Sequence, residues 1–458
     1  MTEPSRATAS RVLRETRTLA KRVTRSIATE VAAARRRATS SPTTSDAFLR
    51  DIPPLAPADP AGPTIVLLND CRDQVNYGAE VLVDGLLRIL RERAPTATIR
   101  PIPSHWLIDK AHLDAFVDRG AGLHLPRAPY PTVADQFDAI ADEWVQGRAG
   151  PGAAEVLARF DDADLVVLNG EGSIYRDNLS AIRELFLAWL AKERLGIPTV
   201  HVNGLVHLTD VKPVLPAMVR RTFPALDAVA VREAPSLRNL EEYVPGLAVQ
   251  VFPDSAFVIE PTEAWDSAAV REVRDRIGDQ PYFCFDPGPM PMDARRGGAS
   301  ALHRLITALQ EVAPRAVFVC SAPADAYIEV VAQETGGIYV DTIAHYREFM
   351  ALTAGAQFLV SGRYHNPILA AIAGCPTIAI GSSSHKVHGT CEMLDGVLGA
   401  PYDGTALIPE IDDIVDRARG YARDRDHWHA QLQEICARRR DEAWGLGDLV
   451  IGVLRSDG

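Results

Sequence analysis

Chemistry is most concentrated in the segment Phe358-Leu359-Val360-Ser361-Gly362-Arg363-Tyr364-His365-Asn366-Pro367. Proline is favoured at the first helical position, so Pro367 predicts a helix opening here with Asn366 as its N-cap. Arg363 and His365 then stand on the turn directly before a helix N-terminus. A fixed cation, a titratable imidazole and free backbone N–H groups at one point make an anion site that carries an acid–base group. The helix should end at Gly374, and Pro376 opens a strand leading to Gly381-Ser382-Ser383-Ser384-His385-Lys386. Ser384, His385 and Lys386 add a hydroxyl, a second imidazole and a second cation to the same rim. His385 and His388 are three apart, but no third ligand accompanies them, so no metal is expected.

The N-terminal half offers a second set of polar residues. Asn76 and Gly78 lie where a loop enters a helix, and Asn76 is either its cap or a contact for a sugar oxygen. Asn169-Gly170-Glu171-Gly172-Ser173 is two-thirds of a dinucleotide fingerprint, but Tyr175 stands where the third glycine belongs, so no nicotinamide cofactor is expected. Glu171 reads as a base or a hydroxyl-binding carboxylate. In Asn203-Gly204-Leu205-Val206-His207, Asn203 and His207 are candidates to face an acceptor, with a structural histidine as the alternative. Arg232 suits a bidentate grip on carboxylate or phosphate, with a surface ion pair to Glu233 as the alternative. Asp254 reads as a turn brace.

These residues follow short apolar runs that must be strands. The first series is Thr64–Leu68, Ala97–Ile102, Leu165–Leu168, Thr199–Val202, Ala228–Val231 and Ala248–Phe252. The second is Tyr282–Phe285, Ala316–Cys320, Ile338–Val340, Phe358–Val360 and Thr377–Ile380. Helical stretches such as Glu80–Arg93, Ile182–Leu195 and Ala301–Val312 separate them. Alternation of this kind predicts an α/β fold of two Rossmann-like domains, their parallel sheets facing a cleft. The expected division is a basic amphipathic helix at 1–39, a Pro/Ser/Thr-rich linker at 40–63, domains at 64–260 (acceptor side) and 261–410 (donor side), and a C-terminal helical segment at 411–458. In open parallel sheets ligands bind beyond the carboxyl ends of strands, which is where the polar residues stand.

Bulk properties narrow the function. The chain of 458 residues carries a net charge of −12, while residues 1–39 hold ten Lys/Arg against three Asp/Glu. The remainder is therefore strongly acidic and repels nucleic acid phosphates, so no nucleic acid partner is expected. The basic arm at 1–39 is suited to peripheral contact with an anionic membrane surface. Six cysteines lie far apart with no Cys-x-x-Cys, which fits a reducing cytoplasm. No secretory core or transmembrane run is legible.

Taken together, Asn76-x-Gly78, Asn169-Gly170-Glu171-Gly172-Ser173, Val231-Arg232-Glu233 with Ser236, Pro253-Asp254-Ser255-Ala256-Phe257, Gly362-Arg363-Tyr364-His365 and Ser384-His385-Lys386 resemble the polysaccharide pyruvyl transferase family. The likeness runs in order over roughly residues 64–395 and leaves the arm at 1–62 outside. It implies a two-domain enzyme of GT-B type, with Arg232, Arg363 and His365 at phosphoenolpyruvate-binding and catalytic positions. Tyr364 stands where the family commonly has Leu. The implied partners are phosphoenolpyruvate and a glycan or lipid-linked sugar acceptor, with no metal or organic cofactor. In this reading Arg363 and Arg232 hold the donor's anions, with Lys386, His385 and Ser384 beside them. His365 moves the proton, while Asn76, Glu171, Asn203 and His207 face the acceptor. Two other readings stay open. A GT-B glycosyltransferase would use the Arg/Lys cluster for a nucleotide diphosphate and Glu348 or Glu392 for the ribose. A carbohydrate-binding protein would use the cleft without turnover.

Overall fold

A computed structural model describes residues 62–456, apart from 74–75, 109–124, 176–177, 212, 289–291, 322–324, 326, 342, 344 and 382–383. The amphipathic helix expected over 1–39, and nearly all of the linker expected over 40–63, lie outside the described residues. So do Ser382 and Ser383.

The apolar runs form eleven strands, each within two residues of its expected bounds. They are β1 Thr64–Asp70, β2 Thr98–Pro103, β3 Leu165–Asn169, β4 Thr199–Gly204, β5 Ala228–Val231, β6 Val249–Val251, β7 Tyr282–Asp286, β8 Arg315–Val319, β9 Ile338–Val340, β10 Leu359–Ser361 and β11 Thr377–Ala379. Two all-parallel sheets result, ordered β2-β1-β3-β4-β5-β6 and β11-β10-β7-β8-β9. β3, β4 and β7 are buried along their whole length. Helices cover both faces of a parallel sheet, which is why these runs are continuously apolar rather than alternating.

Each sheet reverses its strand order once. In the first, the chain passes from β1 outward to β2 and then to β3 on the other side; in the second, β7 leads to β8 and β10 flanks β7 from behind. At such switch points the loops after adjacent strands part in opposite directions and leave a crevice. Those loops are Cys71–Asp73 with Gly170–Ser173, and Pro287–Gly288 with Gly362–Tyr364.

The two sheets share an apolar core. One buried cluster joins Ile65 and Leu67 of β1, Cys284 and Val317 of the second sheet, and Leu432, Cys436 and Val450 of the long helix Arg425–Ser456. That helix packs on the helix His365–Ile372 and on the helix Tyr77–Arg93, so it spans both halves. A side chain on Gly447 would run into Ile89 and Arg93, which explains the glycine at this crossing. Among the described residues no helix is long and apolar enough to cross a membrane. All six cysteines are free and buried.

One expectation needs correction. The helix after β10 begins at His365, and Asn366 lies inside its first turn instead of capping it. The Asn366 amide points away from the backbone, donating to Asp286 Oδ2 at 2.7 Å and accepting from the Tyr77 hydroxyl at 3.1 Å. Proline is tolerated throughout a first helical turn, where backbone N–H groups have no intrahelical partner, so Pro367 marked the helix start two residues late.

Candidate active site

Three strands of the first sheet deliver their ends in the left-handed backbone region. Asn69 (φ 69°) is the penultimate residue of β1, Asn203 (φ 56°) stands near the end of β4, and Glu171 (φ 40°) follows β3. Asparagine tolerates this conformation, and both asparagines are tied down. Asn69 and Asn169 exchange amide-to-carbonyl bonds of 2.9 and 3.1 Å across β1 and β3. Asn203 Nδ2 donates to Ser255 Oγ at 2.8 Å, and Ser255 N returns a bond to Asn203 Oδ1 at 3.2 Å. Glu171 has no such excuse by residue type. A non-glycine held there costs of order 1–3 kcal/mol, so its neighbours must impose it.

The two glycines beside Glu171 are explained by side chains. A Cβ on Gly170 would overlap the His201 ring, and so would one on Gly204. A Cβ on Gly172 would come within 2.9 Å of Lys386 Nζ and 3.7 Å of Arg232 Nη2. Two cations from opposite halves of the molecule therefore converge on the bare backbone of Gly172. Lys386 also lies over the Tyr175 ring, 4.1 Å from its centroid. The aromatic at the third position of the broken fingerprint thus seats a cation.

Arg232 is the centre of the cluster. It is 1% exposed, with Nη1 3.0 Å from Asp254 Oδ2 and Nε 3.6 Å from Glu233 Oε2. Its guanidinium lies 3.8 Å from the centroid of Tyr364, whose hydroxyl donates to Glu233 Oε2 at 2.9 Å. Burial opposes the charge, but the Tyr364 ring against it and the carboxylates of Asp254 and Glu233 outweigh that cost and hold the guanidinium protonated. Burial likewise opposes ionisation of Asp254, yet His365 and Arg232 keep its carboxyl below the usual range. Asp254 also braces its own turn, accepting from Ala256 N at 2.9 Å. It is thus both the expected brace and a partner for two site residues.

His365 places Nε2 3.5 Å from both Arg232 Nη1 and Asp254 Oδ2. Its Nδ1 edge faces Gly78, where a Cβ would approach to 2.7 Å. Gly78 lets the start of the Tyr77–Arg93 helix come against the imidazole, and Asn76 caps that helix, accepting from Gly78 N at 3.1 Å. On the other side of Arg232, His385 Nε2 lies 3.4 Å from Glu233 Oε1 and from Ser236 Oγ. His385 Nδ1 meets His207 Nδ1 at 2.8 Å. Burial, and then His385, lower the pKa of His207.

Arg363 belongs to a neighbouring cluster at the second switch point. Its Nε is 3.2 Å from Asp286 Oδ1, and Nη2 pairs with Asp325. Asp286 also accepts from Ser321 and Asn366, and Tyr77 Oη meets Ser321 Oγ at 2.5 Å. Tyr77 stacks on Phe349, with centroids 5.4 Å apart, so this network bridges the two halves.

The structure therefore gathers Arg232, His365, Lys386, His385 and His207 at one place, with Glu171 at its edge. Asn76 serves as a cap and Asn203 as a brace, while Ser384 Oγ accepts from Lys386 N at 3.4 Å. Arg363 anchors the turn that carries His365. Glu233 pairs with Arg232 in the interior, not on the surface. Asp286 and Asp325 were not singled out from sequence; a carboxylate closing β7 was a legible signal, but nothing linked it to Arg363.

The fold of the chain is similar to that of S. aureus MnaA solved with UDP (12% identity, TM-score 0.50, covering 79% of this chain and 90% of that one). It is also similar to Anabaena Alr3699/HepE solved with UDP and glucose (14% identity, TM-score 0.52, 86% and 99% covered). A third similar structure is UDP-GlcNAc 2-epimerase from Neisseria meningitidis bound to UDP-GlcNAc (12% identity, TM-score 0.52, 85% and 99% covered). At such identities the likeness is one of fold, and that fold is GT-B. No curated protein matches the chain. The family model for polysaccharide pyruvyl transferase matches residues 76–384, which include the site residues named above except Asn69, His385 and Lys386. The chain is a transferase that belongs to the polysaccharide pyruvyl transferase family.

Proposed function

We propose that the protein transfers the pyruvyl unit of phosphoenolpyruvate onto two hydroxyls of a cell-surface glycan or its lipid-linked precursor, forming a ketal and releasing phosphate. The observation that carries this reading is the convergence of Arg232 and Lys386 over Gly172, with His365 against Arg232. Phosphoenolpyruvate has two anionic ends and needs one proton at its methylene carbon. Two cations and an adjacent imidazole answer those needs. In this mechanism Arg232 and Lys386 hold the carboxylate and phosphate, and His365 protonates the methylene carbon. The oxocarbenium-like carbon then takes one sugar hydroxyl, phosphate leaves, and the second hydroxyl closes the ketal. Asp254 orients His365. Arg363, held by Asp286 and Asp325, orders the turn beneath. The acceptor lies on the side of Glu171 and His207. In this reading the work takes place in the cytoplasm, and the excess of Lys/Arg over residues 1–39 supports peripheral contact with an anionic membrane surface.

Nucleotide-sugar transfer finds less support among these residues. Of its two candidate ribose carboxylates, Glu392 pairs with Arg238 at the exposed surface at 3.0 Å, and Glu348 is buried beside Glu80. The test is ligand-induced thermal stabilisation by phosphoenolpyruvate beside UDP- and GDP-sugars. Wild type should be stabilised by phosphoenolpyruvate, and Lys386→Ala should lose that stabilisation while keeping its unliganded Tm. Stabilisation by a nucleotide sugar, with none by millimolar phosphoenolpyruvate, would sink the reading.

A further inference from the structure

Beyond His365, the site contains a second imidazole centre, and the groups around it favour one arrangement of its protons. Two nitrogens 2.8 Å apart share one proton, so His207 Nδ1 and His385 Nδ1 are a donor and an acceptor. Glu233 decides which is which. Its Oε1 faces His385 Nε2 at 3.4 Å, and a lone pair there would oppose the carboxylate. His385 therefore carries its proton on Nε2, its Nδ1 accepts from His207, and His207 Nε2 is left with a lone pair.

Glu233 is suited to the task. It is 1% exposed, and its two oxygens divide their partners. Oε2 faces Tyr364 and Arg232, while Oε1 takes the Ser236 hydroxyl at 2.5 Å and faces His385. The charged and titratable groups around the pair are thus Glu233, Arg232, Tyr364 and the adjacent Lys386. The imidazoles also come from opposite halves, His207 after β4 and His385 before the Lys386–Met393 helix.

We propose that His207 is the base for an acceptor hydroxyl, and that His385 relays the resulting charge to Glu233. The inference rests on the pyruvyl-transfer reading above. Ketal formation breaks two acceptor O–H bonds, the donor's C–O bond to phosphate and its C=C π bond, and it forms two C–O bonds, one C–H bond and one O–H bond on the departing phosphate. One proton finishes on the methyl carbon and the other leaves with phosphate or water. His365 supplies the first and is reprotonated from one hydroxyl. His207 Nε2 takes the second, its Nδ1 proton passes to His385, and the imidazolium so formed lies against Glu233. The proton returns by the same path to phosphate held at Lys386.

The experiment has two arms. In the first, 15N-histidine NMR follows the titration of each ring in wild type, His207→Ala and His385→Ala. Coupled titration, with each variant displacing the pKa of the remaining ring, is expected; two independent titrations would overturn the relay. In the second, phosphate release from phosphoenolpyruvate is measured against pH with methyl hexopyranosides as acceptors. His207→Ala and His385→Ala should each lower kcat about 10²–10⁴-fold, and the double variant should lose no more than the worse single, as residues acting as a unit do. The acid limb of the kcat profile should vanish in His207→Ala and the alkaline limb in His365→Ala. Phosphoenolpyruvate-induced stabilisation should persist in His207→Ala, which separates loss of the base from misfolding. Retention of the acid limb in His207→Ala sinks the relay alone, whereas a wild type that neither binds nor turns over phosphoenolpyruvate removes the pyruvyl-transfer reading as well.

Discussion

Tyr364 shows how much one residue can organise. Its ring meets the Arg232 guanidinium and its hydroxyl reaches Glu233, so it fixes a buried cation and a buried carboxylate together. Burial pushes the phenol well above its ordinary pKa, so it remains a donor. A leucine in its place would fill similar space with neither contact. Tyr364→Phe should cost about 1–3 kcal/mol, the penalty for removing one donor from a buried carboxylate. Tyr364→Leu should cost about 0.5–2 kcal/mol more through loss of the cation–π contact. Urea unfolding of the two variants measures both steps. Equal stability of Phe and Leu variants would mean that the stacking contributes nothing.

At the scale of elements, the site is made by strand ends and helix starts brought close enough for backbone to touch side chain. The glycines mark these approaches, and they should respond differently to substitution. Gly172 opposes the far end of a flexible lysine, which can swing aside, so Gly172→Ala should keep its stability within about 0.5 kcal/mol. It should nevertheless weaken phosphoenolpyruvate-induced stabilisation by displacing Lys386. Gly204→Ala drives a methyl into the buried His201 ring and should cost about 1–3 kcal/mol or more. Thermal unfolding with and without ligand separates the two cases. A Gly204→Ala protein as stable as wild type would contradict the packing described. The same elements were legible in sequence because buried strands declare themselves as short apolar runs and helices by their three-to-four-residue period. The left-handed turn at Glu171 was not, since no residue preference announces it.

At the scale of the molecule, buried ionisable groups set opposite pH limits on stability. Burial lowers the pKa of His201 from 6.5 to about 4. Its contribution is complete above about 6.5 and fades as pH falls to about 4, because the unfolded chain takes up the proton first. The shift corresponds to roughly 3 kcal/mol. Glu80 and Glu184 run the other way, raised by burial from 4.5 to about 8. Their contribution is complete below about 4.5 and fades as pH rises to about 8, where the folded chain ionises too. The urea midpoint should therefore form a dome against pH. His201→Leu should flatten its acid side and Glu184→Gln its alkaline side. An unchanged acid limb in His201→Leu would show that other groups, such as Asp254, govern it. The apolar core shared by both sheets makes this one unfolding event, which a single transition by two probes would verify.

The amino-acid sequence by itself determined the parallel strands, their division into two series and the polar residues that follow them. Each depends on local patterning: apolar runs too long for a helix turn, glycine and proline at the breaks, and the demand that helices cover both faces. Residue order also placed Arg232 directly after a strand and His365 and Lys386 at helix starts, and it carried the family likeness. Tertiary structure alone decided which of those residues face one another. Arg232 meets His365 across 133 positions and His207 meets His385 across 178. Arg363, two residues from His365, instead turns to Asp286 and Asp325. Strand position says where a side chain starts, but its partner depends on rotamers, helix approach and the charges that burial forces into pairs. Those are properties of the packed interior, and local periodicity carries no record of them.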